Sequence, residues 1–309
     1  LKVVPKPGPK DDEVLVRVHA SSVHSWDWEY LNGVPFVKRV MFGLLKPKPG
    51  KQRLGADIAG TVETVGKNVT RFQSGDEVFG DLSDNWGGFA EYAVAPESSL
   101  ELKPANATFE QAAAVPQAGV LALQGLRKAK QLEPRQKVLI NGAGGGAGTF
   151  AVQLAKLSGA DVTGVDAAHK LDVVHSIGAD HVIDYQRQDF TKTGERYDLI
   201  VDCQCFRSMF DNRRALRPKG TYAMIGGSMP RIFQLLCLSL FQSVNRDGKK
   251  LSLVTEGPNK GLVDLKELIE AGKLVPVIDS TYKLHEVPEA LHYFGSGQHK
   301  GKIAITMED

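Results

Sequence analysis

The chain has 309 residues, of which 42% are hydrophobic and 24% are charged, and its net charge at pH 7 is only +2. This size and composition are typical of a globular protein with two domains, and the small net charge gives no reason to expect nucleic acid as a partner. The longest apolar run, at 232–241, is well short of the about 20 residues that a membrane-spanning helix needs, so no membrane partner is expected.

The three cysteines of the chain are Cys203, Cys205 and Cys237. They form no C-x-x-C pair, and their odd number fits neither a disulfide framework nor a zinc ribbon. Reduced thiols of this kind predict a reducing compartment, and we expect the protein to be cytoplasmic.

In chain order, residues 1–108 read as short strands separated by turn residues. The β-rich runs are EVLVRVHASSV at 13–23, DIAGTVETVG at 57–66, DEVFG at 76–80 and GGFAEYAVA at 87–95. Runs of this length and composition predict an all-β unit.

From Phe109 onward the apolar period becomes helical, and the run 109–129 predicts a helix. Strands and helices then alternate, beginning with VLING at 138–142 and a helix at 149–159. Further apolar runs predict strands at 161–166, 181–185, 198–203 and 220–227. This alternation predicts βαβ crossovers and a parallel sheet, so the expected fold class is α/β.

A glycine-rich turn joins the first of these later strands to its helix, with five glycines between Asn141 and Thr149. Glycines at such a turn let a ligand approach backbone N–H groups and the helix N-terminus. The register is Ala143-x-Gly145-x-x-Gly148, with alanine replacing the first glycine of G-x-G-x-x-G. The turn therefore predicts a dinucleotide diphosphate site, with a purely structural turn as the alternative. The predicted contacts are Gly144, Gly145, Gly146, Ala147 and Gly148.

Segments spread along most of the chain resemble one known family. They include PKDDEVLVRVHASSV, GADIAGTVETVGKNVTRFQSGDEVFG, VLINGAGGGAGTFAVQLAK, SIGADHVIDY, LRPKGTY and GKIAI. Together they resemble the zinc-independent medium-chain dehydrogenases/reductases of the quinone oxidoreductase kind. The resemblance implies a GroES-like, β-rich catalytic domain at 1–108 and 257–309, and a Rossmann domain with a doubly wound parallel sheet at 109–256. It also implies a homodimer.

Two positions of this chain argue against a catalytic metal. By the resemblance, His24 stands where zinc alcohol dehydrogenases have a cysteine, and Ala56 stands where they have a histidine. Alanine offers no lone pair, and the four cysteines of a structural zinc site are missing, so no metal is expected. Without a metal to lower the pKa of an alcohol, quinones and polarised double bonds are the easier substrates. The expected substrate is a small apolar carbonyl compound or quinone.

His24 and Tyr30 are the candidate catalytic residues. Zinc-free relatives often carry asparagine at the position of His24, so the resemblance implies that its side chain faces the nicotinamide. An imidazole there can donate a hydrogen bond, or a proton near neutral pH. A histidine satisfied by backbone groups at a domain interface is the alternative interpretation. Tyr30, on the same segment, is a second candidate acid.

Three residues bear on the choice between NAD(H) and NADP(H), and they conflict. Asp166 ends the second strand of the parallel sheet, where an acidic side chain binds the adenosine ribose and repels a 2′-phosphate. By the resemblance, Lys170 and Tyr185 match positions at which quinone oxidoreductases hold that phosphate, and a lysine can offset a carboxylate. Either NADP(H) or NAD(H) is therefore the expected cofactor.

Three more residues are assigned to the nicotinamide end of the cofactor by resemblance. Gly226 and Gly227 resemble the turn that lets the nicotinamide amide approach the backbone, and Asp202 resembles the strand end near the ring. The apolar run IFQLLCLSLF at 232–241 predicts a helix with an apolar face. We interpret it as a lid over an apolar substrate, a dimer contact or core packing.

Two classes of function remain open from the sequence. The first is an NAD(P)H-dependent reductase that transfers hydride to a quinone or to the β-carbon of an α,β-unsaturated carbonyl. The second is a nucleotide-binding scaffold protein with little turnover, because a fold that binds a cofactor is not thereby a catalyst. A zinc-free alcohol or ketone oxidoreductase is a further alternative to the quinone and enone chemistry.

Overall fold

The computed structural model describes residues 2–32, 53–82, 85–129, 132–240, 247–255 and 257–307. The chain divides into two compact units, Leu1–Val120 together with Gly257–Asp309, and Leu121–Glu256. The domain boundary predicted between residues 108 and 109 is the start of the helical period, and it stays a prediction. The division between the two units falls after Val120, within the helix Pro116–Arg127. No helix among the described residues has the length and apolar character needed to cross a bilayer.

The strands and helices are numbered in chain order over the described residues. The strands are β1 (Glu13–Val23), β2 (Asp57–Val65), β3 (Glu77–Asp81), β4 (Tyr92–Pro96), β5 (Glu101–Leu102), β6 (Lys137–Asn141), β7 (Asp161–Asp166), β8 (His181–Asp184), β9 (Tyr197–Asp202), β10 (Leu216–Met224), β11 (Lys250–Leu253), β12 (Ile278–Lys283) and β13 (Lys302–Thr306). The helices are α1 (Ser25–Asn32), α2 (Phe109–Ala113), α3 (Pro116–Arg127), α4 (Gly146–Leu157), α5 (Leu171–Ser176), α6 (Met209–Arg214), α7 (Met229–Ser239), α8 (Leu262–Glu270) and α9 (Val287–Gly295).

The first unit is built on a sheet with the order β12-β13-β1-β2-β3-β5, in which β4 also pairs with β1. The long strand β1 is central, because it pairs antiparallel with β2, β4 and β13. Val14, Val16 and Val18 alternate along β1 and pack in the core with Ile58 and Val78. Strand β13, from the C-terminal segment, joins the sheet beside β1.

The second unit contains a six-stranded sheet with the order β11-β10-β9-β6-β7-β8. All of its strand pairs are parallel. Read from β8, this is the 3-2-1-4-5-6 order of doubly wound dinucleotide-binding sheets, whose topological switch point lies between the first and fourth strands, here β6 and β9. The α/β fold class predicted from the sequence is confirmed.

The structure corrects two details of the sequence prediction. The predicted helix at 109–129 is two helices, α2 and α3, separated at Ala114 and Val115. Pro116 explains the break, because proline lacks a backbone N–H and restricts the residue before it to extended conformations. The predicted all-β unit also contains α1, directly after β1.

The predicted apolar helix at 232–241 corresponds to α7, and Phe241 lies outside the described residues. Leu235 is buried in the core of the second unit, and Ile232 and Leu238 pack against the same core. The interpretation as core packing therefore holds for one face of α7. On the opposite side, Phe233 on the helix and Leu240 at its C-cap are exposed, at 69% and 77% accessibility.

Candidate active site

The turn between β6 and α4 holds its backbone by hydrogen bonds to neighbouring strands and to itself. The N–H groups of Gly142 and Ala143 both donate to Val165 O, at 2.9 and 3.1 Å, and Gly145 N–H donates to Gly142 O at 3.1 Å. Gly145 is the N-cap of α4, and Thr149 N–H makes the first bond of the helix, to Gly145 O. The N–H groups between them have no intrahelical acceptor, and with the helix dipole they favour an anion at this end.

Two glycines of the turn differ in what a side chain would meet. A Cβ atom on Gly148 would clash with Gly142 O and lie 2.8 Å from Ala143 C, so this glycine is required by the close approach of helix and turn. A Cβ on Gly145 would meet only Gly142 O, at an ordinary 3.4 Å. The chain's own atoms therefore do not require glycine at 145, and the open approach fits the predicted diphosphate.

Asp166, Lys170 and Tyr185 are brought together beside this turn. The carboxylate of Asp166 accepts the N–H of Gly144 on Oδ2, at 2.7 Å, and that of Ala167 on Oδ1, at 2.8 Å. A Cβ on Gly144 would lie 2.7 Å from Lys170 Cβ, so the lysine stem packs against the glycine turn. Tyr185 N–H donates to Asp166 O at 3.2 Å, and the tyrosine side chain is about half exposed.

Asp202 is buried at the switch point and is surrounded by donors from the protein itself. Its Oδ1 accepts Asn141 Nδ2 at 2.7 Å and Cys205 N–H at 2.8 Å, and its Oδ2 accepts the hydroxyl of Tyr222 at 2.8 Å. Burial and the nearby carboxylate raise the pKa of Tyr222, so the hydroxyl remains a donor. Asp202 thus ties together the ends of β6, β9 and β10, and its direct contact with a cofactor stays a prediction.

Gly226 and Gly227 follow β10 with positive φ angles of +72° and +107°. A Cβ on Gly227 would lie 3.0 Å from Cys205 Cβ and would clash with Met224 Cε, whereas one on Gly226 would meet nothing within 4 Å. The turn is therefore packed against the protein on one side only. Contact with the nicotinamide amide remains the prediction for these two glycines.

In the first unit, His24 lies between β1 and α1 and forms hydrogen bonds with Trp26 and Asp27. Trp26 N–H donates to His24 Nδ1 at 3.1 Å, and His24 N–H donates to Asp27 Oδ2 at 3.1 Å. Asp27 Oδ1 also accepts Gly55 N–H, at 2.8 Å. Both side chains are buried, and burial raises the pKa of Asp27 to about 7.

The two predicted catalytic side chains, His24 and Tyr30, are brought together by Trp86. Its ring contacts the His24 ring edge-on, with centroids 5.9 Å apart, and lies 5.6 Å from the Tyr30 ring. Burial raises the pKa of Tyr30, which keeps its hydroxyl protonated near neutral pH. Trp86 is not predictable from the sequence, because nothing in the order of residues indicates that a loop some 60 residues away returns to α1.

A buried ion pair, also missed from the sequence, lies near Asp27. Lys302 Nζ is 3.4 Å from Asp57 Oδ2 and donates to Val23 O at 3.1 Å. Asp57 also accepts the hydroxyl of Ser22 and the N–H of Gln117. Burial raises the pKa of Asp57 and the charge of Lys302 opposes that shift. The segments that contain the two residues, GADIAG and GKIAI, stand out in the sequence, but the sequence does not indicate that Asp57 and Lys302 contact each other.

The position that would supply a histidine to zinc, Ala56, is fully buried. Over the described residues, no group of three or more histidine, cysteine, aspartate or glutamate side chains is arranged to hold a metal ion. The predicted residues of the nucleotide turn belong to the second unit, and His24 and Tyr30 belong to the first.

Comparisons with known proteins identify relatives of both units. Residues 10–105 match the family model of the alcohol dehydrogenase GroES-like domain, and residues 177–305 match that of the zinc-binding dehydrogenases. The chain is 32% identical to the chloroplastic quinone-oxidoreductase QR1 of Triphysaria versicolor, over 98% of this chain and 92% of that one. It is 30% identical to the 2-methylene-furan-3-one reductase of Solanum lycopersicum, over 97% of this chain and 73% of that one.

A solved structure gives the same result for the fold. The quinone oxidoreductase from Coxiella burnetii superposes with a TM-score of 0.84 at 25% identity, covering 99% of this chain and 93% of that one. The GroES-like and Rossmann-type folds implied by the resemblance are thereby confirmed. The chain belongs to the quinone oxidoreductase-like family of medium-chain dehydrogenases/reductases.

Proposed function

We propose that the protein is an NAD(P)H-dependent oxidoreductase that transfers hydride to a quinone or to the β-carbon of an α,β-unsaturated carbonyl. The observation that carries this proposal is the turn before α4, which leaves Gly145 open to a ligand beside the first N–H groups of the helix. The relatives support the acceptor class, since they are named as quinone oxidoreductases, a 2-methylene-furan-3-one reductase and an alkenal/one oxidoreductase. They do not favour a scaffold protein.

The residues of this chain fit the binding of the nicotinamide cofactor, which supplies the hydride when bound. The N–H groups of the first turn of α4 hold its diphosphate, and Asp166 fixes the turn that presents them. Hydride addition puts negative charge on the acceptor oxygen, where a hydrogen bond donated by His24 stabilises it. A proton from water or from His24 completes the reduction.

We propose that this chemistry needs no zinc. Ala56 is buried at the position of the family's histidine ligand, and His24 Nδ1 already accepts the N–H of Trp26. A catalytic zinc takes about three protein ligands, and the described residues contain no suitable group.

An assay of NADPH and NADH oxidation with quinones, enals and simple ketones tests the function. We expect quinones or enals to be reduced, with the same rate after prolonged treatment with a chelator. A protein that binds nucleotide but reduces none of these compounds would be a scaffold. Preferential reduction of the ketones would support the alcohol/ketone alternative, and one equivalent of zinc in the active protein would contradict the metal-free site.

NADP(H) is the preferred nucleotide in this proposal. Both Asp166 oxygens accept backbone N–H groups, which partly satisfies the carboxylate, and Lys170 lies beside it against Gly144. A lysine at this place can neutralise a 2′-phosphate.

Lys170→Gln is expected to raise the KM for NADPH by about tenfold or more, equivalent to about 1.4 kcal/mol, and to leave the KM for NADH unchanged. Steady-state kinetics with both nucleotides measures this change. His169→Gln is the matched control, because His169 is the exposed neighbour of Lys170 on the same turn. An equal effect of Lys170→Gln on both nucleotides would show that Lys170 does not read the 2′-phosphate.

We propose that the protein is a homodimer that associates through the second unit. Helices α6 and α7 contact each other, and exposed apolar side chains lie on them and directly beside their ends. This apolar patch consists of Phe206, Phe210, Phe233, Leu236 and Leu240. Within the described chain, β11 pairs only with β10, so it is an edge strand, and α7 packs beside it. A second copy related by a twofold axis would cover both the edge and the patch.

Phe233→Glu is expected to convert the dimer to a monomer, with light scattering as the measurement. Leu157→Glu is the control, since Leu157 is also an exposed apolar residue of this unit. A wild-type protein that is monomeric at micromolar concentration would overturn the proposal.

The compartment is also a proposal. The three thiols are free, which supports a reducing compartment, and the cytoplasm remains our choice. Several relatives are named as chloroplastic or mitochondrial, so fluorescence microscopy of the protein expressed from its own gene would distinguish these locations.

A further inference from the structure

The first turn of α1 is closed by a capping box in which an imidazole replaces the usual serine or threonine hydroxyl. In the common form, the N-cap side chain accepts a backbone N–H of the first turn, and an acidic or amide side chain three residues on accepts the N-cap N–H. Here His24 Nδ1 accepts Trp26 N–H at 3.1 Å, and Asp27 Oδ2 accepts His24 N–H at 3.1 Å. Asp27 N is also close to Nδ1, at 3.4 Å.

This geometry determines which ring nitrogen carries the proton. A backbone N–H can donate only to an unprotonated Nδ1, so the neutral ring has its hydrogen on Nε2. Protonating Nδ1 would break the cap and place a positive charge at a helix N-terminus, where the helix dipole disfavours cations. The cap therefore favours a neutral ring that donates through Nε2.

The charged and titratable groups around the pair are compatible with this state. Asp27 lies 3.4 Å from His24 Nδ1 through Oδ2, but its two oxygens already accept the N–H groups of His24 and Gly55. From β2 and β13, Asp57 and Lys302 act on Asp27 with opposite signs, raising and lowering its pKa. The rings of Trp26, from α1, and of Trp86, from the 85–90 loop, contact the His24 ring, and Trp86 also contacts the ring of Tyr30.

We infer that Asp27 is a positioning residue that holds His24 as a neutral Nε2–H imidazole, so that His24 serves as a hydrogen-bond donor to the acceptor oxygen and not as a proton-transferring acid. The proton that completes the reduction then comes from water. The catalytic part of this inference rests on the proposed function, whereas the tautomer does not.

Nitrogen NMR of the full-length protein, with ¹⁵N in the histidine rings, tests the tautomer without any assay. His24 is assigned by the signals missing from His24→Asn. We expect a protonated Nε2 and an unprotonated Nδ1 at pH 7, with a hydrogen-bonded shift at Nδ1. A ring protonated on Nδ1, or on both nitrogens, would overturn the inference even if the protein reduces quinones.

Two variants of His24 separate its role in capping α1 from its role as a hydrogen-bond donor. Asparagine caps helices and also carries an N–H donor, whereas serine caps helices but is too short to replace Nε2. We expect His24→Asn to lower kcat by less than about tenfold and to leave the pH–rate profile unchanged, and His24→Ser to lower kcat by about a hundredfold or more. A loss as large in His24→Asn as in His24→Ser would show that His24 transfers a proton.

Asp27→Asn tests whether Asp27 positions the His24 ring, because the asparagine side chain has one acceptor oxygen where aspartate has two. We expect kcat to fall severalfold at an unchanged KM for NADPH, and the His24 ring signals to shift toward a mixture of tautomers. Unchanged ring signals in folded Asp27→Asn would contradict the role of Asp27. If wild-type protein reduces no acceptor, the proposed function fails, while the NMR result still decides the tautomer.

Discussion

Gly145→Val is expected to weaken NADPH binding by at least about a hundredfold, equivalent to about 2.7 kcal/mol, while the melting temperature of the ligand-free protein changes little. The backbone at Gly145 is extended, with φ −88° and ψ 179°, so valine is sterically allowed there. A Cβ would meet no protein atom closer than 3.4 Å. The added side chain would instead occupy the approach to the N–H groups of α4.

Gly148→Ala is the matched variant and is expected to show the reverse order of effects. By helix propensity alone, alanine in place of glycine stabilises a helix by about 1 kcal/mol. Here its Cβ would clash with Gly142 O and approach Ala143 C to 2.8 Å, so overpacking predicts a loss of about 1–3 kcal/mol. The sign of the change thus identifies which effect is larger.

Thermal unfolding without ligand and fluorescence titration with NADPH measure both variants. Gly145→Ala, with the smallest possible side chain, should fall between wild type and Gly145→Val in affinity. Normal nucleotide affinity of Gly145→Val would contradict the placement of the diphosphate. A Gly148→Ala protein more stable than wild type would contradict the close packing of α4 on the turn.

Lys302→Met is expected to lower the free energy of unfolding by about 3–5 kcal/mol, because it leaves the Asp57 carboxylate buried without its cation. Both side chains of the pair are nearly inaccessible, at 3% and 0% exposure. Methionine fills a similar volume, so the loss comes from charge and from the bond to Val23 O rather than from a cavity. Urea unfolding at pH 8 measures the change.

The loss of stability in Lys302→Met is expected to depend on pH. Burial raises the pKa of Asp57 in the folded protein, and removing Lys302 removes the group that opposes this shift. A carboxyl with a raised folded pKa binds a proton on folding, so stability is lost as pH rises above the unfolded pKa of 3.8. The difference between wild type and Lys302→Met is therefore expected to increase from pH 5 to pH 8.

Asp57→Asn combined with Lys302→Met is the control for this effect. With neither charge of the pair left, it is expected to recover most of the lost stability and to show the weaker pH dependence. If the double variant is as unstable as Lys302→Met, the single loss arises from packing and not from the unpaired carboxylate.

The parts of the fold that were predictable depend on local patterns. The glycine turn after VLING, the strand ending at Asp166 and the alternation of strands with helices were enough for the parallel sheet. The break before Pro116 was also readable, but the apolar period on both sides of it outweighed the proline. The family resemblance, and not the periodicity, identified the first domain as GroES-like and His24 as a candidate catalytic residue.

The parts of the site that were not predictable depend on contacts between distant residues. The Asp57–Lys302 pair joins residues 245 positions apart, and Trp86 reaches α1 from a loop. The family resemblance predicts that Asp202 lies near the cofactor, but the sequence could not show that four donors from the chain satisfy its carboxylate. Likewise, the direction of the Asp166 carboxylate, toward Gly144 N–H, depends on how the turn folds.

The bonds around Asp202 have a consequence for the kinetics of ligand capture. Because one buried carboxylate joins the ends of β6, β9 and β10, this edge of the sheet acquires its shape as the sheet folds. In the proposed binding mode, the protein has little backbone to order at this edge when the dinucleotide arrives, so the entropic penalty of association is expected to be small. Uptake then resembles rigid docking, and its speed depends on diffusion and on shedding water from the diphosphate.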